Sequence, residues 1–156
     1  MADQDQWHFC KNCGVMHWAP AKGVCVQGGP HVAQGFNFNL PNNVPEVAFT
    51  QKGWRFCSQC AGLFYGPDGP GGRCAKGGPH QNKDAHPADF VLLHDRPEEP
   101  GFQGKWFFCR NCHLMTYGPV TGHCIAEKAA GSTIIGHDPT GSFPFVLPIK
   151  ASGWID

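Results

Sequence analysis

The chain has 156 residues and a formal charge of zero at pH 7, because 12 Lys and Arg balance 12 Asp and Glu. Gly and Pro form more than a fifth of the chain, and no apolar run repeats with a helical period, so the composition favours a β-rich fold with many turns. No segment reaches the roughly 18 apolar residues of a membrane span, and residues 1–6 are unlike a signal peptide. We therefore expect a cytoplasmic protein without a membrane span, with non-classical release as an open alternative.

One pattern occurs three times, beginning at Trp7, Trp54 and Trp106, and its copies contain all nine cysteines of the chain. Each copy reads W-x-F-C-x-x-C, followed by an aromatic-x-Pro step, a third cysteine and a histidine. The pattern divides the chain into repeat 1 (1–46), repeat 2 (47–98) and repeat 3 (99–156). We expect the three repeats to pack as one compact unit, because each alone has little core to bury.

Each repeat is predicted to contain three short strands. The first holds the W-x-F step, whose alternation places Trp and Phe on one face. The second strand ends at an aromatic residue, because a proline follows two residues later and stops the strand. The third strand contains an F-x-L sequence. The predicted second strands are 16–18, 63–65 and 115–117, and the predicted third strands are 38–40, 90–92 and 145–147.

Nine cysteines cannot all form intrachain disulfides, whereas three cysteines and one histidine per copy suit tetrahedral zinc. A single C-x-x-C pair could be a redox motif, but three in register favour three structural Zn²⁺ ions, one per repeat. Metal binding should then be coupled to folding. The predicted ligand sets are Cys10, Cys13, Cys25 and His31; Cys57, Cys60, Cys74 and His80; and Cys109, Cys112, Cys124 and His137.

Repeat 3 is the irregular copy, because His123 directly precedes its third cysteine and competes with His137 as the fourth ligand. In repeats 1 and 2 the ligand histidine follows a Gly-Gly-Pro step and precedes the F-x-L strand. His137 follows Gly136 and precedes the corresponding strand, so we assign His137 as the ligand. Residues 126–135 then form an extra loop beside the third site.

These elements predict an all-β protein of three tandem, zinc-stabilised β-hairpins of the zinc-ribbon or knuckle type, packed with pseudo-threefold symmetry. Trp154 is expected to close the ring against repeat 1. Phe49 and Phe102 lie in the joins between repeats, and we expect those joins to pack against the core.

The sequence W-x-x-C-x-x-C-x-x-L-F-[FY]-G, followed by G-x-C, G-G-x-H and a closing aromatic-x-L, resembles tandem repeats of bacterial and fungal proteins that are largely uncharacterised. Residues 54–66 carry the first part of this resemblance, and it extends over nearly the whole chain. The resemblance implies zinc-type ligands and a repeat architecture, and it implies no particular activity.

The preferred functional hypothesis is a non-enzymatic, multivalent recognition module with structural zinc. Trp18, Tyr65 and Tyr117 recur beside Gly/Pro loops, and such rings stack on sugars, so we predict lectin-like carbohydrate binding. The alternative is that these three rings simply belong to the core. Nucleic-acid binding is disfavoured because Lys and Arg are scattered, and three filled Cys3His sites would bring the net charge to about −3.

Two other function classes stay open. One is recognition of a protein or peptide, or buffering of zinc. The other is a zinc-dependent hydrolytic enzyme centred on repeat 3, where His113 and His123 lie close in sequence, with His86, His94 and Asp95 as further candidates. Four ligands per site argue against catalysis, because catalytic zinc keeps one position open. The sequence does not specify the oligomeric state.

Overall fold

The computed structural model describes residues 2–67, 72–82 and 88–156. Within them the chain forms nine β-strands and two short 3-10 turns, at Ala19–Ala21 and Ile125–Lys128. The strands are β1 (Ala2–Cys10), β2 (Met16–Trp18), β3 (Ala33–Asn42), β4 (Thr50–Phe56), β5 (Leu63–Tyr65), β6 (Phe90–Leu93), β7 (Phe102–Phe108), β8 (Met115–Tyr117) and β9 (Phe145–Ile155). The all-β prediction is confirmed, and all nine predicted strands are present.

Each repeat folds in the same register. Its first strand pairs antiparallel with the second strand across the C-x-x-C turn, and with the third strand on its other side. In every copy the tryptophan of the W-x-F step lies opposite the last residue of the second strand and opposite the phenylalanine of the F-x-L step. The pairs are Trp7 with Trp18 and Phe38, Trp54 with Tyr65 and Phe90, and Trp106 with Tyr117 and Phe145.

The repeats close into a nearly complete antiparallel barrel. Seven strands follow the order β5-β4-β6-β3-β9-β7-β8, while β1 pairs with β2 and β3. The short second strands of the three repeats also meet one another through isolated bridges. These bridges join Val15 to Thr116, His17 to Gly62, and Phe64 to Leu114, so each repeat contacts the other two in cyclic order.

The buried residues form two layers. One layer contains the cysteines of all three repeats together with a few aliphatic side chains. The other is aromatic and aliphatic, and it includes the fully buried Trp7, Trp54 and Trp106. Aromatic rings of neighbouring repeats pack edge to face in this layer. For example, Trp7 of repeat 1 contacts Phe90 of repeat 2 with ring centroids 5.2 Å apart. Each repeat therefore uses its neighbour to complete its core.

The third strand of repeat 3 is longer than predicted. β9 runs on to Ile155 and pairs with β3 of repeat 1, which joins the first and last repeats. Trp154 lies edge-on against Phe36 at 5.1 Å, as expected for a ring-closing residue, yet it stays 58% exposed. The prediction for Phe49 is wrong: its ring is 49% exposed and lies beneath the Arg96 guanidinium, 5.1 Å away, instead of entering the core.

Candidate metal centres

The structure brings together the four predicted ligands of each repeat. In every group the Sγ and imidazole nitrogen atoms lie within 4.8 Å of one another, and eleven of the twelve residues are buried, His137 being partly exposed. None of the nine cysteines forms a disulfide bond. The groups are Cys10, Cys13, Cys25 and His31; Cys57, Cys60, Cys74 and His80; and Cys109, Cys112, Cys124 and His137.

The distances inside each group match a tetrahedral zinc site. A zinc ion with Zn–S bonds of about 2.3 Å and a Zn–N bond of about 2.0 Å would hold two sulfurs about 3.8 Å apart and sulfur and nitrogen about 3.5 Å apart. The Sγ–Sγ distances between the first and third cysteines are 4.0, 3.9 and 3.9 Å. The distances from the second Sγ to the histidine Nδ1 are 3.5, 3.6 and 3.6 Å. Each group could therefore hold one metal ion, with a donor set typical of structural zinc.

The C-x-x-C turn presents its two thiols through a short hydrogen-bonded loop. In repeat 1, Gly14 N–H donates to the carbonyl of Cys10 at 2.8 Å, and Cys10 N–H donates to the carbonyl of Val15 at 2.9 Å. Repeats 2 and 3 form the same two bonds around Cys57 and Cys109. The loop folds the first and second cysteines toward one point, as in a zinc knuckle.

The third cysteine is positioned by its own turn in repeats 1 and 2. Cys25 N–H donates to the carbonyl of Gly29, and Cys74 N–H donates to the carbonyl of Gly78, each at 2.8 Å. Repeat 3 lacks the Gly-Gly-Pro step, and there the carboxylate of Glu127 replaces this carbonyl. It accepts from Cys124 N–H at 3.0 Å and from Gly136 N–H at 2.6 Å, which ties both ends of the extra loop to the third site.

Each ligand histidine directs one ring nitrogen toward its own metal group and the other toward the backbone of the neighbouring repeat. Each Nδ1 faces the thiols of its own group, while each Nε2 lies within hydrogen-bond distance of a backbone carbonyl of the next repeat. Nε2–H donation to this carbonyl leaves Nδ1 as the metal-facing atom, and such a partner fixes ring orientation and ligand basicity. The bonds run from His31 to Cys60 (2.9 Å), from His80 to Cys112 (2.8 Å) and from His137 to Cys13 (2.8 Å).

The first two cysteines of a group differ in the pKa of their thiols. Hydrogen bonds from Cys13 and Cys25 lower the pKa of Cys10 far below its usual value, whereas Cys10 and Cys25 raise the pKa of Cys13. Burial opposes a charged imidazole at His31, but hydrogen bonds to Cys10 and Cys25 outweigh it and raise the pKa of His31 to about 9. A metal ion binds the deprotonated thiolate and the neutral imidazole, so its binding releases the thiol and imidazolium protons of the ligands. Metal binding is therefore favoured by rising pH.

His123 takes no part in the third group. Its Nδ1 lies 3.3 Å from the Glu127 carboxylate, outside the cluster that contains His137. The other candidates for catalysis are dispersed. His94 stacks on Phe143 at 3.8 Å and contacts the Asp95 carboxylate at 2.8 Å, while His86 lies outside the described residues. His113 occupies the C-x-x-C turn of repeat 3, where its N–H donates to the carbonyl of Cys109.

The three predicted recognition residues, Trp18, Tyr65 and Tyr117, are half-buried at the boundaries between repeats. Each ring lies beside the phenylalanine of the next repeat's W-x-F step, in an edge-to-face contact. The centroid distances are 6.0 Å for Trp18 and Phe56, 6.1 Å for Tyr65 and Phe108, and 5.9 Å for Tyr117 and Phe9. These rings therefore belong partly to the core and partly to the surface.

Two recurrent features of the sequence have a structural role that the sequence interpretation did not assign. A glutamine stands three residues before each core tryptophan and accepts a hydrogen bond from its indole N–H; these are Gln4, Gln51 and Gln103, at 3.0, 2.9 and 2.9 Å. A glycine stands two residues before each third cysteine and packs against a carbonyl of the next repeat; these are Gly23, Gly72 and Gly122. The Q-x-x-W spacing is the signal that could have revealed the glutamines. The G-x-C step is part of the repeat pattern, but its contact with the next repeat is seen only in the structure.

Comparisons with protein-family models, with curated proteins and with solved structures find no match to this chain. The recurrence of Cys3His clusters at regular spacing nevertheless indicates tandem repeats. No helix among the described residues is long and apolar enough to cross a membrane.

Proposed function

We propose that the protein is a non-enzymatic recognition module, in which three structural zinc ions hold a scaffold that presents three carbohydrate-binding clefts. The observation that carries this proposal is the equivalent placement of Trp18, Tyr65 and Tyr117 at the three boundaries between repeats. A half-exposed ring at the wall of a cleft can stack on the apolar face of a sugar. Three such sites on one rigid scaffold would bind a repeated glycan with avidity.

The cleft beside Tyr117 supports this reading. It has a volume of about 260 Å³ and is lined by aromatic side chains of repeats 3 and 1, among them Phe36, Phe9 and the exposed Trp154. The polar side chains of Gln34, Gln103 and Asp156 lie at the same cleft. This combination of aromatic walls and a few amide and carboxylate groups suits a sugar ring, whose hydroxyls need hydrogen-bond partners.

A related cleft lies beside Tyr65. It has a volume of about 190 Å³ and is lined by Gln51, Phe108, Ser142 and Phe143, so it repeats the arrangement of an aromatic wall with a glutamine and a phenylalanine of the next repeat. At the third boundary Trp18 and Phe56 keep their contact, and Ala88 stands where Phe36 and Phe143 stand in the other copies. We expect the three clefts to differ in affinity.

The metal sites favour a structural role in this proposal. Four protein ligands fill the tetrahedral positions of a zinc ion, whereas a catalytic zinc keeps one position for water. X-ray absorption spectroscopy of the zinc-loaded protein should give three sulfur ligands and one nitrogen ligand at every ion. An open, water-bound site in repeat 3 would instead support the hydrolytic enzyme.

Glycan arrays and erythrocyte agglutination test the recognition role directly. We expect the zinc-loaded protein to bind a defined set of glycans, and each of the substitutions Trp18→Ala, Tyr65→Ala and Tyr117→Ala to reduce avidity by about tenfold or more. Phe49→Ala is the matched control, because it removes an exposed ring that lies outside the clefts. Circular dichroism of each variant checks that the fold persists.

Absence of signal in both assays would refute carbohydrate binding. Selection of peptides from a display library, with binding lost in the same three variants, would move the proposal to peptide recognition at the same clefts. Binding that persists in all three variants would refute the clefts as the recognition site.

A further inference from the structure

We propose that the three metal sites form one cooperative unit, in which binding at each site prepares the neighbouring site. This inference rests on the metal-binding part of the proposed function and is independent of any glycan. Its basis is the ring of hydrogen bonds from the ligand histidine Nε2 of each repeat to the backbone carbonyl of the second cysteine in the next repeat. Every group thus contains a residue that supports the ligand histidine of the preceding group.

The carbonyl that accepts this bond is held at the centre of the contact between repeats. In repeat 2, the carbonyl oxygen of Cys60 accepts from His31 Nε2 at 2.9 Å and lies 3.3 Å from the backbone N–H of Val24. The carbonyls of Cys112 and Cys13 receive the corresponding pairs of bonds. His31 and His80 are buried, so water cannot readily replace these partners.

The second cysteines also face a common space. A small cavity of about 20 Å³ is lined by Cys13, Cys60 and Cys112, together with His31 and His137. A metal ion fixes the C-x-x-C turn by joining its two thiolates, and the carbonyl that orients the next histidine belongs to this same turn. Ordering one site therefore places the acceptor that its neighbour needs, and the cycle closes after three steps.

The glycine before each third cysteine makes this contact possible. Gly23 has a φ of +68°, and a Cβ atom there would overlap the carbonyl oxygen of Cys60. Gly72 and Gly122 have φ values of +68° and +63°, and a Cβ at either would overlap the carbonyl of Cys112 or Cys13. The recurrent G-x-C spacing is thus explained by close approach of the next repeat as well as by a left-handed backbone.

Native mass spectrometry of the wild-type chain with half the zinc needed to fill all sites is the first test. We expect mainly metal-free and three-zinc species. Independent, equal sites would place about three quarters of the molecules in one- and two-zinc species, and that distribution would overturn the proposal. Failure to bind zinc at all would instead overturn the metal-binding function on which the proposal rests.

Gly23→Ala is the second test, and Gly101→Ala is its matched control. Both glycines have a left-handed backbone, with φ values of +68° and +89°, but a Cβ at position 101 meets no atom within 4 Å and Gly101 lies outside the turns that position the metal ligands. The strain of a left-handed alanine is therefore similar in both variants, and only the first disturbs the carbonyl of Cys60.

We expect Gly23→Ala to weaken zinc binding by about 10- to 100-fold, because a disturbed outer-shell partner typically has an effect of this size. The loss should extend to repeat 3, although the disturbed carbonyl of Cys60 contacts only ligands of repeats 1 and 2. Peptide mapping of alkylated cysteines identifies which repeats lose metal. Loss confined to repeats 1 and 2, or equal loss in Gly101→Ala, would contradict coupling. If Gly23→Ala does not fold, the loading distribution of the wild-type chain still decides the question.

Discussion

Replacing His17 with phenylalanine should stabilise the protein. The imidazole is completely buried, and neither of its ring nitrogens has a hydrogen-bond partner among the described residues. Burial disfavours the charged ring and lowers the pKa of His17 to about 3, so the ring is neutral. Leaving a polar group unpaired in the interior costs about 1–3 kcal/mol, and an apolar ring removes this cost.

Repeat 2 already contains the proposed residue at the equivalent position. Phe64 is buried and stacks on the ligand His80, with ring centroids 5.1 Å apart and an interplanar angle of 25°. His17 stacks on the ligand His31 in the same way, at 4.7 Å and 30°. Phenylalanine therefore suits this environment, although the larger ring must displace its neighbours at a cost of about 1 kcal/mol. We expect a net gain of up to about 2 kcal/mol, or a rise of up to about 8 °C in Tm.

Thermal unfolding at saturating zinc is the appropriate assay, because bound metal otherwise makes Tm depend on concentration. The reverse substitution, Phe64→His, is the control and should lower Tm by placing an unpaired imidazole against His80. A decrease in Tm for His17→Phe together with no change for Phe64→His would refute the reasoning, since it would mean that the nitrogens of His17 contribute to stability.

The remaining predictions concern the metals and the extra loop. A strong chelator should abolish the β-sheet signal in circular dichroism, and zinc should restore it; retention of the sheet would indicate that the metals are dispensable for folding and would favour zinc buffering. Glu127→Ala should loosen residues 126–135 by about 3 kcal/mol through loss of its bonds to Cys124 and Gly136, whereas Glu127→Gln should do so less. Hydrogen exchange at the Gly136 amide measures this, and unchanged protection in Glu127→Ala would show that the loop is held by other contacts.

Much of each repeat could be predicted because its signals are local. The second strand begins and ends at the predicted residues in all three copies, since a C-x-x-C turn precedes it and a proline follows it. The members of each Cys3His group follow from residue type and spacing, and the irregular repeat 3 follows from the order of His137 and the third strand. Predicting three short strands per repeat required only the alternation of Trp, Phe and Leu.

The contacts between repeats could not be predicted in this way. Cys60 was recognisable as a ligand from its side chain, but its backbone carbonyl is the group that holds His31, and a carbonyl has no sequence signal. The exposed position of Phe49 was also missed. An aromatic residue in a join can pack against the core, or it can form a cation–π contact on the surface, as Phe49 does with Arg96. The length of β9 depended on its pairing with β3, more than a hundred residues earlier in the chain.

Cyclic closure links these long-range contacts to the metal sites themselves. In a linear array of the same repeats, His137 would have no following repeat, and the carbonyl of Cys13 would have no preceding histidine. In the structure these two groups meet at 2.8 Å, although they are separated by 124 positions in the chain. The same closure pairs β3 with β9 and brings Phe9 against Tyr117. The closing contacts of the ring thus orient a ligand of the third metal site, extend the sheet and complete a candidate binding cleft, so each of these three features depends on both the first and the last repeat.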